Sequence, residues 1–482
     1  MSKICEFMWF DGFLIIKNPT KKMEKFLVWD KKSLVLDKRT YTRKSEIEHI
    51  QLYNVFKEGI GPDREGRTIQ TMQGFKDQLI TMCQQDGIAW KLTDNRIPFP
   101  EPMMGFAEGF RFKQEELFTD FINVGQSGLL QAPTRYGKSF AIKNVCRVFP
   151  NIKTVVAAPG VDLLGQTVKD LQESLPDREV KGIFTGSRNR EQSQDITVCS
   201  LDSLHKMDAE GTKLLLIDEP HAAVSETRAP VLARFKNSRI YGFGATLKGR
   251  YDNADKLLHG LVGPVLVRRT FKEAVDEGAI CGIRVYMVRF PFQKFSCSRR
   301  DVAYKRLVYE NEAFIDVIKS VSNSVIPQDW QTIIFIDQQK QADLVANNIE
   351  QGHVVVAGRM KTKERRETFQ NMVEDNIKRC VCTDVYAQGV TFPDVRVMIN
   401  ASGGGGSISS VQKPGRLAQI RPGKKRGYLV DFLFECEDGS SSDPAAWQMV
   451  VRDSRARLKL YASLGYDIRV VDSLAEISNS MD

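Results

Sequence analysis

Residues 131–140 read QAPTRYGKSF, and the order of residue types inside them could hold a chain of phosphates. A small residue, Ala132, precedes Pro133, Thr134, Arg135 and Tyr136, and then come Gly137, Lys138 and Ser139. In a loop that leaves a strand and enters a helix, backbone N–H groups face phosphate oxygens. The lysine then reaches the β and γ phosphates, and the hydroxyl binds Mg²⁺. Such a cradle needs a partner element, because the metal must be held and the attacking water activated. Asp218 and Glu219 end the apolar run KLLLID. Asp218 would hold Mg²⁺ and Glu219 would polarise water for in-line attack. An acidic pair after a strand is ordinarily a cap and a solvated neighbour, but the cradle upstream favours the chemical reading. ATP and Mg²⁺ are therefore the expected cofactors.

Bringing a cradle and an acidic pair together requires a sheet whose strands end at one edge. Between residues 105 and 290 the runs GLLQAP, KTVVAAP, DITVCS, KLLLID and IYGFGAT are short and nearly continuous in apolar residues. Such runs mark strands buried on both faces, in a parallel sheet covered by helices. From 291 to 482 the alternation repeats in QTIIFID, GHVVVAG, KRCVCTD, VRVMIN and GYLVDF. Residues 1–104 offer the strand-like FLIIKN and FLVWDKKSLVLDK, then a helical pattern at TIQTMQGFKDQLITMCQQDG. Pro98, Pro100 and Pro102 mark a linker after it. The expected fold class is α/β: two tandem parallel-sheet domains, 105–290 and 291–482, behind a small α/β accessory domain at 1–104. The run SGGGGS at 402–407 predicts a flexible loop. VVRDSRARLKLYASLGYDIRVV predicts an amphipathic helix closing the second sheet.

Bulk properties agree with a folded, intracellular chain. With 482 residues, 42% hydrophobic and 27% charged, the sequence has room for roughly three domains and is neither fibrous nor disordered. Lys and Arg number 69 against 60 Asp and Glu, a net +9 that leans toward polyanionic partners. Nine cysteines, an odd number without framework spacing, predict a reducing, cytoplasmic setting. Cys380 and Cys382 lack a second pair, so no metal site is expected of them. No run approaches the ~18–20 apolar residues of a membrane span, and MSKICEFMWFDGF is not laid out as a signal peptide.

Taken in order, A-P-T-x-x-G-K-S, D-E-P-H and G-A-T resemble the motor of superfamily 2 helicases, and the resemblance runs through both sheets. It implies two RecA-like domains, with ATP between the sheets and nucleic acid crossing both. FRFKQEELF resembles the adenine-reading element, with Gln114 on the base edge; Phe110 and Phe112 read equally as core aromatics or as stacking groups. AAPGVDLLGQTVKDL, carrying Pro159, Gly160 and Gln166, and TVCSLDSL, carrying Ser200, are similar to elements that touch nucleic-acid backbone. The resemblance gives His221 a catalytic, coupling position and Thr246 a coupling one, with Gly244 where the family has Ser. In the second sheet IIFIDQQKQADLVANNI resembles motif IV. VAGRM would place Gly358 and Arg359 on nucleic acid, and CVCTDVYAQGVTFPDV would place Thr383 there and Gly389 near the nucleotide.

QKPGRLAQIR looks like motif VI, written Q-x-x-G-R-x-x-R. Gln412, Gly415 and Arg416 match, but Gln419 stands at the last arginine. Arg421 comes two residues later, off the helical face expected of it. An arginine at the transition state is worth ~10³ or more, so Arg416 or Arg421 supplies that charge or turnover is low. The layout of 1–104 resembles the UvsW-type branch-migration helicases of large tailed phages. That implies work on forked or branched DNA (forks, Holliday junctions, D-loops or R-loops) in replication, recombination and repair; a monomer is expected. The basic stretch LDKRTYTRK at 36–44 is either a grip on a second arm or a solvated face. Two rivals are an RNA helicase or RNA-stimulated ATPase, and an ATP-switched junction-binding protein with little turnover, which Gln419 motivates.

Overall fold

Every residue of Thr154–Ala158, Ile196–Ser200, Thr332–Phe335, Arg379–Cys382 and Val397–Asn400 is buried, which only a sheet covered on both faces provides. The computed structural model describes residues 4–481 except 38–41, 60–64, 160, 185–190, 249, 251, 348, 350–352, 357–359, 361, 384–394, 406–412 and 438–445. By contact the chain divides into two units: Met1–Ala132 with Gly137–Arg269, and Pro133–Tyr136 with Thr270–Asp482.

The first unit holds a seven-stranded parallel sheet. Its order is Val180–Ile183, Ile196–Ser200, Thr154–Ala158, Leu214–Asp218, Arg239–Gly244, Gly128–Gln131 and Val265–Arg268. Beside it lies a five-stranded mixed sheet from the accessory region, in the order Tyr53–Lys57, Thr68–Met72, Phe13–Lys17, Cys5–Trp9 and Trp90–Asp94. The helix expected over TIQTMQGFKDQLITMCQQDG begins late. Thr68–Met72 is a strand with Ile69 and Thr71 turned inward, and the α-helix is Lys76–Gln85. Strand Val28–Asp37 pairs antiparallel with Thr42–Gln51 as a separate hairpin.

This accessory region is not a bead on a linker. Phe7, Leu14, Ile16, Phe75 and Leu79 share one apolar cluster with Leu215, Ile217, Leu257 and Leu258 of the motor sheet and its helices. Trp29, at the base of the hairpin, donates its indole N–H to the Asp252 carbonyl at 3.1 Å, and Lys256 Nζ donates to Val28 O at 2.7 Å. Gly74 packs so closely that a Cβ there would lie 1.9 Å from His259 O.

The second unit repeats the plan, with all strands parallel: His353–Val356, Arg379–Cys382, Thr332–Phe335, Val397–Asn400, Arg426–Cys436, Gly282–Phe292 and Asp467–Val471. The boundary expected at 290/291 therefore falls inside Gly282–Phe292, a strand of this sheet. The expected terminal helix stops at Ser463, and IRVV instead forms the edge strand Asp467–Val471, turned by Gly465 at φ 79°. The glycine run expected to be a flexible loop is, over 402–405, clamped. A Cβ on Gly403 would meet the Tyr304 ring at 2.5 Å, and one on Gly405 would meet Asp453 at 3.0 Å.

Candidate active site

The cradle grows from the C-terminal end of Gly128–Gln131 into helix Lys138–Val148. Gly137 caps that helix at φ 107°, ψ 29°, a conformation that disfavours a side chain. A Cβ there would also stand 2.7 Å from Gln114 Nε2. The Gln114 amide and the Gly137 turn are thus neighbours although far apart in sequence. Arg135 also takes positive φ, 74°. Tyr136 is buried, Pro133 and Thr134 are half-buried, and Ser139 is exposed. Lys138 is 8% exposed, with Nζ donating to Ala132 O at 3.3 Å across the loop it closes.

Asp218 ends the adjoining strand Leu214–Asp218, and Glu219 follows at φ 50°, ψ 60°. A non-glycine residue held left-handed costs roughly 1–2 kcal/mol. The neighbouring strand enforces it: Glu219 N donates to Phe243 O at 2.9 Å and to Asp218 Oδ1 at 3.1 Å. Pro220 then packs under strand Arg239–Gly244, where a Cβ on Gly242 or Gly244 would come 3.0 or 3.2 Å from its ring. Gly244 thus serves packing where the family has Ser, and Gly242 is a site residue that sequence reading missed. The same strand reaches back to the cradle: Ala132 N donates to Gly244 O at 3.1 Å, and Gln131 Nε2 donates to Ala245 O at 3.1 Å.

Electrostatics single out the acidic pair. Burial, and secondly the Glu219 charge, push Asp218 up to about 7, while the Lys138 charge pulls the other way. Two carboxylates forced together beside a buried lysine are a site that a divalent cation relieves. Mg²⁺ needs only one or two carboxylates besides phosphates and water. Ser139 and Asp218 suit that set, although the described residues contain no cluster of three or more protein ligands. His221 is 5% exposed with Nδ1 3.4 Å from Glu219 Oε2. Burial, then the Arg250 charge, lower its pKa to about 4, so it is neutral at physiological pH. His221 Nδ1 and Thr246 Oγ1 are both buried without a hydrogen-bond partner among the described residues. Arg250, unnoticed in the sequence, donates to the His221 carbonyl at 2.8 Å.

The remaining predicted residues scatter more widely. Phe110 is half-buried, its ring packed on Phe118 and Phe140 at 5.2 and 5.6 Å, whereas Phe112 is 54% exposed at φ 56°. Gln114 opens helix Gln114–Asn123 and its Oε1 accepts from Arg111 N at 3.0 Å. Pro159 follows strand Thr154–Ala158, and Gln166 lies exposed on helix Val161–Ser174, hydrogen-bonded to Asp170. Ser200 is not a surface group: it is 3% exposed and its hydroxyl caps the turn Leu201–Lys206 by accepting from Ser203 N at 3.2 Å. In the second unit Thr383 follows strand Arg379–Cys382. Arg416 is 7% exposed in the short 3₁₀ turn Arg416–Ala418. That turn ends at Gln419, which is extended, so a helical-face rule does not govern Arg421. Arg421 sits instead on a tight turn, bridged to Lys424 and closed by Gly423 at φ 72°. Gly160, Gly358, Arg359, Gly389 and Gln412 lie outside the described residues.

Comparison with known proteins matches residues 109–249 to the family described as "Type III restriction enzyme, res subunit", and residues 314–421 to the helicase conserved C-terminal domain. The chain belongs to the superfamily 2 helicases. This helicase is 22% identical over 346 residues to a protein of the Sulfolobus islandicus filamentous virus (isolate Iceland/Hveragerdi) named as helicase 22. The match covers 65% of this chain and 61% of that relative, so the chain spans less than two thirds of its length. Among solved structures, the ATP-dependent Type ISP restriction-modification enzyme LlaBIII bound to DNA shares the fold. It has a TM-score of 0.56 and 15% identity over 76% of this chain and 31% of that one. T4 UvsW aligns along 98% of this helicase and 99% of its own length, at 13% identity and a TM-score of 0.43. The two matched segments fall on the two parallel sheets. None of the helices described is long and apolar enough to cross a membrane.

Proposed function

We propose that this helicase is a nucleic-acid-dependent ATPase that remodels branched DNA. The observation that carries the reading is the buried Lys138 beside the Asp218–Glu219 pair, where burial and repulsion between the carboxylates favour a bound cation. In this reading the cradle amides of 133–139 and the helix start bind the phosphates, and Lys138 orients the β and γ groups. Ser139 and Asp218 hold Mg²⁺, which when bound supplies charge to the phosphate oxygens. Glu219 aligns the attacking water, and the strained backbone at that position aims its carboxylate. Neutral His221 and Thr246 pass the state of the site to the strand Arg239–Gly244. Arg416 or Arg421 supplies the transition-state charge that Gln419 cannot.

DNA is favoured by the net charge of +9 and by the DNA-bound relative of the same fold. Pro159, Gly160, Gln166, Gly358, Arg359 and Thr383 would meet its backbone, which fixes register and not sequence. The accessory region, sharing a core with the first motor sheet, would act as a rigid fixture for a second arm and so give selectivity for branches. Binding of a fluorescent ATP analogue, measured beside phosphate release, tests the motor. Lys138→Ala should lose binding, and Glu219→Gln should keep binding while losing release by at least about a hundredfold. Wild-type turnover in either variant contradicts the reading.

A further inference from the structure

The clamped glycine run lies at the end of strand Val397–Asn400, just before the motif VI segment. What holds it is an ion pair from elsewhere in the second unit. Asp431 and Arg457 are 0% and 2% exposed. Arg457 Nε and Nη2 donate to the two Asp431 oxygens at 2.9 and 2.8 Å, and Tyr461 Oη and Asn400 Nδ2 donate to Oδ2 at 2.7 and 2.9 Å. The third guanidinium nitrogen, Nη1, points to the loop: it donates to the Gly404 carbonyl at 3.0 Å and reaches Gly403 O at 3.4 Å.

The chain of bonds continues toward motif VI. Asn400 Oδ1 accepts from Ser402 Oγ at 2.5 Å, and Ser402 Oγ in turn accepts from buried Lys413 Nζ at 3.3 Å. Lys413 stands three residues before Arg416. A second tether comes from motif IV, where Asp337 Oδ2 accepts from Gly403 N at 2.8 Å.

A buried ion pair is seldom needed for stability, because well-packed apolar residues of similar volume often serve as well or better. Its geometry offers something that apolar residues cannot, namely a planar fork that satisfies a carboxylate on one edge and backbone carbonyls on the other. We propose that Asp431 and Arg457 are positioning residues for ATP turnover. They fix the 403–404 backbone and, through Asn400, Ser402 and Lys413, hold the arginine-bearing segment in one conformation. The inference rests on the ATPase reading above, and its test includes a readout that needs no turnover.

The test uses the full chain with Asp431→Leu and Arg457→Met together, with Arg457→Lys alone, and with Ser402→Ala, a change too small to endanger folding. Melting temperature, hydrogen exchange of the 413–418 amides, and kcat and KM for ATP are measured on each. The apolar pair leaves the buried Tyr461 Oη and Asn400 Nδ2 without their carboxylate acceptor, so it should still fold but melt below wild type, exchange at 413–418 at least tenfold faster, and lose at least tenfold in kcat with KM changed less than threefold. Arg457→Lys, which keeps the charge but not the fork, should fall between. Ser402→Ala should speed exchange and lower kcat several-fold. Unchanged exchange at 413–418 in any folded variant overturns the inference whatever the turnover. So does faster exchange with wild-type kcat. If wild type itself hydrolyses no ATP, the ATPase reading fails, and the exchange data still decide whether the clamp holds the segment.

Discussion

Trp29 gives the sharpest handle on how the accessory region is joined to the motor. Its indole is 5% exposed, lies in the cluster shared with the first motor sheet, and donates to the Asp252 carbonyl at 3.1 Å. A side chain of this kind buries on the order of 200 Å², an upper figure of roughly 5 kcal/mol at ~25 cal/mol per Å². Tryptophan-to-alanine changes in cores cost about 3–5 kcal/mol. Trp29→Ala should therefore destabilise the first unit by about 4 kcal/mol, lowering its melting transition by about 10 °C at roughly 2–4 °C per kcal/mol. Trp29→Phe keeps most of the apolar area and loses the hydrogen bond, about 1 kcal/mol. Calorimetry is the assay, with ATP turnover on branched and single-stranded DNA measured below the transition. Because the hairpin base and the motor share the core, selectivity for branches should fall before basal turnover does. A Trp29→Ala protein that melts within about 2 °C of wild type would refute the shared-core argument.

Other outcomes follow from the same geometry. Removing residues 1–104 should not leave a healthy motor, because it uncovers helix Asp255–Val262, whose Gly260 packs against Met72 and Phe75; the truncated chain should melt well below wild type or aggregate. Gly137→Ala forces a side chain into positive φ and against Gln114. It should cost roughly 1–2 kcal/mol and abolish ATP-analogue binding. Burial lowers the pKa of His259, which stacks on Phe75 between accessory region and motor. A depressed folded-state value means that stability is fully present above the unfolded value of about 6.5 and is lost as pH falls through that value toward the folded one. Melting temperature should thus drop below pH 6.5, and His259→Phe should flatten the drop; an unchanged slope would contradict the assignment.

Much of this architecture was written in short apolar runs. GLLQAP, KLLLID and KRCVCTD each became a buried strand of a parallel sheet because burial on both faces demands unbroken apolar sequence. The alternating segment TIQTM was missed: it is buried at Ile69 and Thr71 and is a strand, but its helical neighbour Lys76–Gln85 masked it, whereas FLIIKN, which alternates in the same way and has no such neighbour, was legible as strand Phe13–Lys17. IRVV was absorbed into the preceding helix because the turn at Gly465 carries little signal beyond a single glycine. The cradle and acidic pair were legible because their spacing is local. What holds them was not. The closeness of Gly137 to Gln114, the packing of Gly242 on Pro220, and the Asp431–Arg457 pair all join residues distant in sequence. The glycine run misled for a related reason: glycine signals freedom when exposed, but here it admits the Tyr304 ring.

In the proposed function the buried lysine and acidic pair drive ATP turnover in response to branched DNA. The most direct test is ATP hydrolysis by the full chain with no nucleic acid, single-stranded DNA, a four-way DNA junction and structured RNA, with Lys138→Ala as the blank. Turnover should be lost in the blank and be greatest on the junction. Greatest stimulation by RNA would contradict the DNA assignment, and tight ATP-dependent junction binding without phosphate release would contradict the motor itself.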